Sequence, residues 1–336
     1  MQIRSAVAAL AAFALLGAAP SPDPTTLLRL AIGAPRSVSF VGEVQTLEIG
    51  ESQTQASVYR IEHRAPDLNR RWYLAPQSLY GDVILTRGEH RYSVDVEHGR
   101  MIVDENDAVD DQVALDDNFG LLTTNYRAER APGENVAGQA CNVLVLVNKH
   151  TGQSVMRIWM DAKTHLVLQK ERYAANGALT SQTRFSQLRY TTSIPSQVFD
   201  VPKGYARVAG SRHAQPTSDL SAAVKTAGFA AQTPRYLPEG FLPVTGDVTD
   251  VNGVRTLHLL YSDGIRTISL FQNAKDAAID LSHYTPKTVD LENHTAQYVE
   301  QGPTTLLAWS EHGLHFALVG ELSRTELIKI AASVVP

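Results

Sequence analysis

Short runs in which apolar and polar residues alternate dominate the chain from about Leu28 to Tyr205. Alternation with a period of two, interrupted by turn residues, is typical of antiparallel β-strands. Asn176-Gly177 predicts a hairpin, because both residues tolerate a positive φ, and Arg87-Gly88 and His98-Gly99 predict two more. After a first run at Val38, Phe40 and Gly42, strands are predicted at Val58–His63, Arg71–Leu74, Val83–Leu85, Tyr92–Val96, Cys141–Val147, Val155–Met160, Leu166–Tyr173 and Thr183–Tyr190.

The alternation is interrupted between Asp104 and Arg130, where the apolar spacing becomes helical. Seven acidic residues lie between Asp104 and Asp117. The segment lacks the glycine at position six and the glutamate at position twelve that a calcium-binding EF-hand loop needs. We interpret the acids as a solvated face and as helix N-terminal charges, which the helix dipole favours. A docking surface for a basic partner is the alternative.

A second, smaller α+β unit is predicted from Asp219 to Pro336. The residues before it, Arg207–Ser218, have no apolar periodicity and are typical of a linker. Asp263-Gly264 predicts a hairpin, and Ser323 with Glu326 forms a capping box that begins a final helix. Strands are predicted at Leu242–Val248, Thr256–Tyr261, Ile265–Phe271, Ala296–Val299, Thr305–Trp309 and Leu314–Val319.

The N-terminus has the order of features found in secretory signal peptides. Arg4 supplies a positive charge, Ala6–Leu16 is an unbroken apolar run, and small residues follow at Gly17, Ala18 and Ala19. The run is shorter than the roughly 20 residues that a membrane helix needs. We predict a signal peptide over residues 1–20 and export to the periplasm or extracytoplasmic envelope. A retained N-terminal anchor is the alternative.

Composition narrows the possible partners. The chain has 336 residues, 43% hydrophobic and 19% charged, with a net charge of −5. A net negative charge gives no sign of the basic surface that binds nucleic acid. It also disfavours binding to anionic membranes through charge alone. The length after a signal peptide exceeds one typical core, so two domains are expected. The single cysteine, Cys141, excludes an internal disulfide and is predicted to be a buried structural thiol.

The sequence contains no motif of a known catalytic site. G-x-S-x-G, H-E-x-x-H, a Walker loop and C-x-x-C are all absent. His312 and His315 have the nearest spacing to a metal pair, but Gly313 predicts a hairpin turn that would separate the two imidazoles. We therefore predict a protein that is not an enzyme and that holds neither a metal nor a cofactor.

A series of short motifs is similar to one family across the first domain. In order, they are Asn125-Tyr126, Val136-Ala137-Gly138-Gln139, Arg157–Asp161 (RIWMD), Thr164–Glu171 (THLVLQKE), Asn176-Gly177, Phe185–Leu188 and Phe199–Tyr205 (FDVPKGY). This series resembles the LolA-like fold as it occurs in RseB/MucB proteins. The sequence departs from the family pattern at His165, where glycine is usual, and at Gln139, where arginine is usual.

The second unit carries further motifs in the same order as the RseB C-terminal domain. Leu237–Phe241 (LPEGF), Tyr261–Gly264 (YSDG), Ile268–Phe271 and Leu318–Leu322 are similar to its signatures. Taken from the residues alone, Asn125 is interpreted as a helix terminator and the YSDG segment as turn chemistry. These motifs therefore identify a fold better than they identify a site.

The resemblance implies an α+β fold in two parts. Residues 27–206 would form a LolA-like curved antiparallel half-barrel with covering helices, and residues 219–336 a smaller α+β domain with an antiparallel sheet. An open half-barrel leaves an apolar concavity in which an acyl chain can be buried. Chosen by strand position, the candidate lining residues of this cavity are Phe40, Leu85, Trp159 and Leu168.

The resemblance also implies a function. RseB-like proteins bind a membrane-anchored anti-sigma factor, sense lipid-like ligands and modulate an extracytoplasmic stress response. LolA-like proteins instead carry lipoproteins or lipids across the envelope. The second domain favours the regulator, because it offers a second surface for a protein segment. The carrier is the alternative, and a plain structural or adaptor module is a third possibility. The predicted partners are an anti-sigma factor and an acyl chain, with no nucleic acid.

Overall fold

The computed structural model describes residues 22–50, 53–88, 90–105, 119–212, 220–251, 254–274, 281, 284–292, 294–301 and 304–335. The predicted signal peptide and most of the acidic segment lie outside these residues. Within them, the helices are Pro24–Gly33 (α1), Phe119–Asn125 (α2), Leu220–Ala227 (α3) and Arg324–Ala332 (α4). None of these helices has the length and apolar character to cross a membrane.

The first unit is built on one sheet of twelve strands, as far as the described residues go. All neighbours in it pair antiparallel except the last, β12, which runs parallel to β6. From edge to edge the order is β12-β6-β5-β4-β3-β2-β1-β11-β10-β9-β8-β7. The strands are Phe40–Ile49 (β1), Thr54–Arg64 (β2), Leu68–Ala75 (β3), Val83–Arg87 (β4), His90–Asp95 (β5), Arg100–Glu105 (β6), Tyr126–Ala131 (β7), Cys141–Asn148 (β8), Ser154–Asp161 (β9), Val167–Tyr173 (β10), Leu179–Tyr190 (β11) and Ala206–Arg212 (β12).

The second unit contains a smaller antiparallel sheet of seven strands in its described part, in the order β14-β15-β16-β20-β19-β18-β17. A two-stranded ladder of β13 and β21 closes the unit beside it. The strands are Thr233–Pro234 (β13), Leu242–Val251 (β14), Val254–Ser262 (β15), Thr267–Asn273 (β16), Lys287–Leu291 (β17), His294–Gln301 (β18), Thr304–Glu311 (β19), Leu314–Gly320 (β20) and Val334–Val335 (β21).

The large sheet is strongly curved. A flat sheet of this many strands would be about 50 Å wide, because strands lie about 4.8 Å apart. The second unit, with about 115 residues, is only about 35 Å across. Yet both edges of the large sheet reach it, since β12 contacts β14 and Tyr126 at the start of β7 bonds to Asp263. The predicted fold class, an open curved antiparallel sheet plus a smaller sheet domain, is confirmed.

Local sequence signals set the helix ends. Asp23 caps α1 by accepting hydrogen bonds from the backbone N–H groups of Thr25 and Thr26, as expected for an aspartate before a first-turn proline. Ser323 caps α4 by accepting from the N–H of Glu326, which confirms the predicted start of that helix. The apolar residues of α1 pack against β8 and β9 beside α2, so these two helices cover one face of the sheet.

Three expectations are corrected. The predicted linker begins as a strand, because residues 207–212 belong to β12 and pair with β6; an edge strand needs little apolar alternation. The helical spacing predicted up to Arg130 ends at Asn125, where the chain turns into β7 and pairs with β8. Cys141 is half-buried instead of buried, because it is the first residue of β8. Burial raises the pKa of its thiol.

Candidate interdomain site

The C-terminal end of α2 presents two side chains to the second unit. Asn125 is buried, and its Nδ2 donates to the carbonyl oxygens of Gly240 and Asp263, at 2.9 Å each. The next residue, Tyr126, donates its hydroxyl to Oδ2 of Asp263 at 2.6 Å. Because α2 ends between these two residues, the helix terminus and the first residue of β7 project side by side. The Asn-Tyr pair therefore joins the two units.

Asp263 is the centre of this joint. It is 1% exposed, and its Oδ1 accepts from the backbone N–H groups of Ile265 and Arg266, at 3.0 and 2.8 Å. Its Oδ2 accepts from Nη2 and Nε of Arg266, at 2.8 and 2.9 Å, as well as from Tyr126. A buried carboxylate is tolerated only when it is paired and its lone pairs are satisfied. The turn and the tyrosine together meet that requirement.

The charges of the joint shift the titration of its members. Burial, and then the negative charge of Asp263, raise the pKa of Tyr126. Burial acts to lower the pKa of Arg266, but Asp263 and Tyr126 together raise it. The tyrosine therefore stays a neutral donor and the arginine stays a cation. The Arg266 guanidinium also lies over the ring of Phe241, 5.5 Å from its centroid, which links the YSDG turn to the LPEGF turn.

Two glycines permit the close approach of the units. A Cβ atom on Gly264 would lie 2.5 Å from the backbone nitrogen of Leu122 in α2, and Gly264 has a φ of +97°. A Cβ atom on Gly240, at a φ of +89°, would lie 2.8 Å from Oδ1 of Asn125. Ile265, next to Gly264, packs against the apolar cluster under α1 and α2. Only glycine fits both the backbone conformation and the space at these positions.

A histidine contact and an ion pair lie at the rim of the joint. His150, in the turn after β8, has Nε2 2.9 Å from Oδ1 of Asn125 and Nδ1 3.1 Å from Oε1 of Glu239. Arg172 on β10 pairs with Glu321 after β20. These pairs are more exposed than Asp263, and such pairs contribute little to stability. These rim pairs therefore contribute less to the contact between the units than the buried joint around Asp263.

The predicted cavity residues do not all lie together. Phe40, Trp159 and Leu168 belong to one buried cluster on one face of the large sheet. Leu85 belongs to a different cluster on the opposite face. The register shows this, because Phe40 pairs with His63, His63 with Asn69 and Asn69 with Thr86, the neighbour of Leu85. All four side chains are buried.

We name the face that carries Phe40, Trp159 and Leu168 the Trp159 face. The indole Nε1 of Trp159 donates to Glu134 at 2.9 Å, which ties the loop before β8 onto this face. Tyr59 and Tyr73, with ring centroids 5.5 Å apart, continue the face on β2 and β3. The face is thus a continuous apolar and aromatic surface across the curved sheet.

Sequence reasoning missed the interdomain joint. It assigned the YSDG segment to turn chemistry and Asn125 to a helix end, and both assignments are correct as local structure. The partners Arg266 and His150 lie outside the quoted motifs, and Glu321 lies within Leu318–Leu322 without an assigned role. One signal was present: Asp263 and Arg266 flank Gly264 at a spacing that closes an ion pair across a turn.

Two family profiles match the chain. Residues 49–203 match the MucB/RseB N-terminal domain, and residues 232–334 match DUF4367, a domain of unknown function. None of the curated proteins compared with the chain matches it.

The fold is similar to solved structures of MucB. One is MucB in complex with MucA(peri), at 18% identity and a TM-score of 0.62. Another is the Pseudomonas aeruginosa MucA/MucB complex, at 17% identity and a TM-score of 0.64. A third is MucB alone, at 16% identity and a TM-score of 0.55. Each match covers 94% of this chain and 99% of the matched chain, so the shared fold extends over both units.

Proposed function

Through its first domain this chain belongs to the MucB/RseB family, and on that premise we propose that it binds the extracytoplasmic segment of a membrane-anchored anti-sigma factor. The observation that carries the proposal is the match in fold over both units to MucB structures, two of them complexes with MucA. The role is that of an envelope-located regulator. The partner is a protein segment, and binding involves no nucleic acid and no cofactor.

The joint between the units supports a regulatory role. It consists of one buried ion pair, a few hydrogen bonds and two close glycine contacts. These contacts hold the two units in one arrangement, and all of them are lost together when the units separate. A ligand shifts such an equilibrium only by its difference in affinity for the two arrangements. A segment that contacts both units would therefore respond to the state of the joint.

The finer part of the proposal is that a lipid-like ligand on the first unit weakens the grip on the partner. The Trp159 face supports it, because an acyl chain gains about 0.8 kcal/mol for each CH₂ group buried. Phe40, Trp159 and Leu168 are buried within the unit itself. An entering chain therefore has to displace part of this packing, which is how lipid binding would be transmitted to the rest of the unit.

The test uses the full chain and the labelled extracytoplasmic segment of a single-span anti-sigma factor from the same organism, sought first among the neighbouring genes. Fluorescence anisotropy should show saturable binding. Added fatty acid or lipopolysaccharide should weaken it by about 5- to 150-fold, the range of couplings of about 1–3 kcal/mol. Absence of segment binding, together with capture of acylated lipoproteins, would favour the carrier. If neither lipid weakens the binding of the segment, the regulatory role would stand and the lipid-sensing role would be excluded.

A further inference from the structure

Three polar residues on adjacent strands of the second sheet form a hydrogen-bonded chain. Asp247 on β14 lies directly opposite His258 on β15 in the ladder, and its Oδ1 is 3.0 Å from Nδ1 of the imidazole. The other ring nitrogen, Nε2, is 3.0 Å from Oγ of Ser269 on β16. Each step spans 11 residues. The three side chains come from consecutive hairpin strands, so no local motif reveals them.

The protonation of this hydrogen-bonded series follows from the two residues at its ends, Asp247 and Ser269. An ionised aspartate only accepts hydrogen bonds, so Nδ1 of His258 carries the proton that faces Asp247. In the neutral imidazole, Nε2 then presents its lone pair to the hydroxyl of Ser269. This is the order of contacts by which a carboxylate and a histidine activate a serine nucleophile.

Neighbouring groups hold the imidazole of His258 between Asp247 and Ser269. The imidazole of His258 stacks on the ring of Phe271, with centroids 4.5 Å apart and an angle of 11° between the rings. Asp247 is 5% exposed, and within the described residues its Oδ2 has no hydrogen-bond partner. The carboxylate charge therefore acts mainly on the imidazole. A desolvated charge is worth more to a developing imidazolium than a solvated one.

Apolar side chains lie on both sides of the serine. Leu260 on β15 and Val319 on β20 are the ladder partners of Ser269, and Leu306 on β19 is the partner of Val319. Ladder partners project from the same face of a sheet. All three apolar side chains and Ser269 are partly exposed. This row, which we name the Leu260 strip, offers a surface for an apolar acyl group next to the hydroxyl.

We propose that Ser269 is an activated nucleophile that accepts an acyl group from an ester, with His258 as its general base and Asp247 as the positioning residue. Oγ attacks the ester carbonyl carbon while its proton passes to Nε2 of His258. The alcohol leaves with that proton, which gives an acyl-serine. Water then attacks the acyl carbon, His258 accepts and returns the proton, and the carboxylic acid leaves. This activity goes beyond the binding role proposed above.

The backbone limits the substrates. Ser269 lies in the middle of β16, which pairs with β15 on one side and β20 on the other. Its neighbouring N–H groups serve these ladders and leave no oxyanion hole on the strand. One such donor is worth roughly 10²–10³ in rate. The substrate class is therefore activated or otherwise reactive acyl esters, and amides should not be cleaved.

The test treats the full chain with a fluorophosphonate probe and locates the adduct by peptide mass spectrometry, alongside hydrolysis of 4-nitrophenyl butyrate. We expect an adduct on Ser269, none in Ser269→Ala, and a loss of about 100-fold or more in His258→Gln, the scale of a general base. Asp247→Asn should also slow the reaction, because it permits the wrong tautomer.

Ser310 supplies the matched control. Its Oγ lies 2.7 Å from Nδ1 of His315 on the same sheet, and within the described part of the chain no carboxylate contacts that histidine. Ser310→Ala should leave labelling and hydrolysis unchanged. The proposal is overturned if the wild-type chain gives no adduct at Ser269. It is also overturned if Ser310 reacts equally, or if folded His258→Gln, checked by circular dichroism, reacts at the wild-type rate.

Discussion

The hydroxyl of Tyr126 donates a 2.6 Å hydrogen bond to Oδ2 of Asp263, across 137 residues of sequence and across the boundary between the two units. Both residues are buried, and Arg266 forms an ion pair with the same carboxylate oxygen. The bond therefore connects the end of the α2 helix to the turn between β15 and β16.

Tyr126→Phe removes this bond while keeping the ring. We expect the free energy of unfolding to fall by about 1.5–3 kcal/mol, the range for hydrogen bonds to charged groups. Urea denaturation followed by circular dichroism measures the change. The control is Tyr80→Phe, since Tyr80 is exposed and surface changes usually stay within about 0.5 kcal/mol. Equal effects of the two variants would contradict the role given to the joint.

Gly264→Ala tests the close docking of the turn on α2. Two effects add: the positive φ costs about 1–2 kcal/mol for a residue with a Cβ, and the new Cβ meets the backbone nitrogen of Leu122 at 2.5 Å. Gly177→Ala is the matched control, because its φ is +80° but its Cβ would meet nothing within 4 Å. Thermal unfolding should show a larger loss for Gly264→Ala. Limited proteolysis should then cut between the units only in that variant.

Tyr261 predicts a dependence of stability on alkaline pH. Burial raises its pKa from 10.0 to about 12 in the folded chain. A raised folded pKa means that the unfolded chain ionises first, so this contribution to stability is complete below pH 10 and is lost as the pH rises towards 12. The loss is about 2–3 kcal/mol at most. Tyr126, whose pKa is also raised, acts in the same direction.

Urea unfolding between pH 9 and pH 11.5 measures this loss. Tyr261→Phe should flatten the dependence in part and leave the stability at pH 7 nearly unchanged. The exposed Tyr80→Phe should leave the full dependence. A wild-type chain whose stability does not fall above pH 10 would disprove the assignment.

Leu168 and Leu85 allow a matched test of acyl-chain binding, with Leu85 as the control. Both are 1% exposed, but they lie in different clusters on opposite faces of the sheet. Replacing either with alanine should cost about 2–5 kcal/mol of stability. Only Leu168→Ala should change the amount of co-purified acyl chain, measured by native mass spectrometry in detergent-free buffer. Equal changes would place acyl binding elsewhere or exclude it.

Strand positions were predictable, because alternation and turn residues are local signals. The hairpins at Gly88, Gly99 and Gly177 are present as predicted, each with a glycine at positive φ. The face of a strand was not predictable in the same way. Alternation shows which residues share a face but not which face is inside, and Leu85 was assigned to a face that its register does not allow.

Contacts between distant segments could not be derived from local patterns. Asn125, Asp263 and Gly264 were recognised as turn and terminator residues, and their joint function depends on a docking that no spacing encodes. His165 shows the opposite case. It replaces the glycine of the family pattern, and the structure places it at a φ of +62°, so the departure is visible as backbone strain. The chain of Asp247, His258 and Ser269 crosses three strands and had no sequence motif.

The pairing of β12 with β6 sets how far the two units can move apart. A linker over residues 207–218, fully extended, would span about 40 Å. With residues 207–212 held in the ladder, residues 213–219 bridge the units, and their contour length is at most about 25 Å. If the joint opens, the two units therefore stay connected by a short segment of the chain. Any single segment bound across both units must fit within that reach.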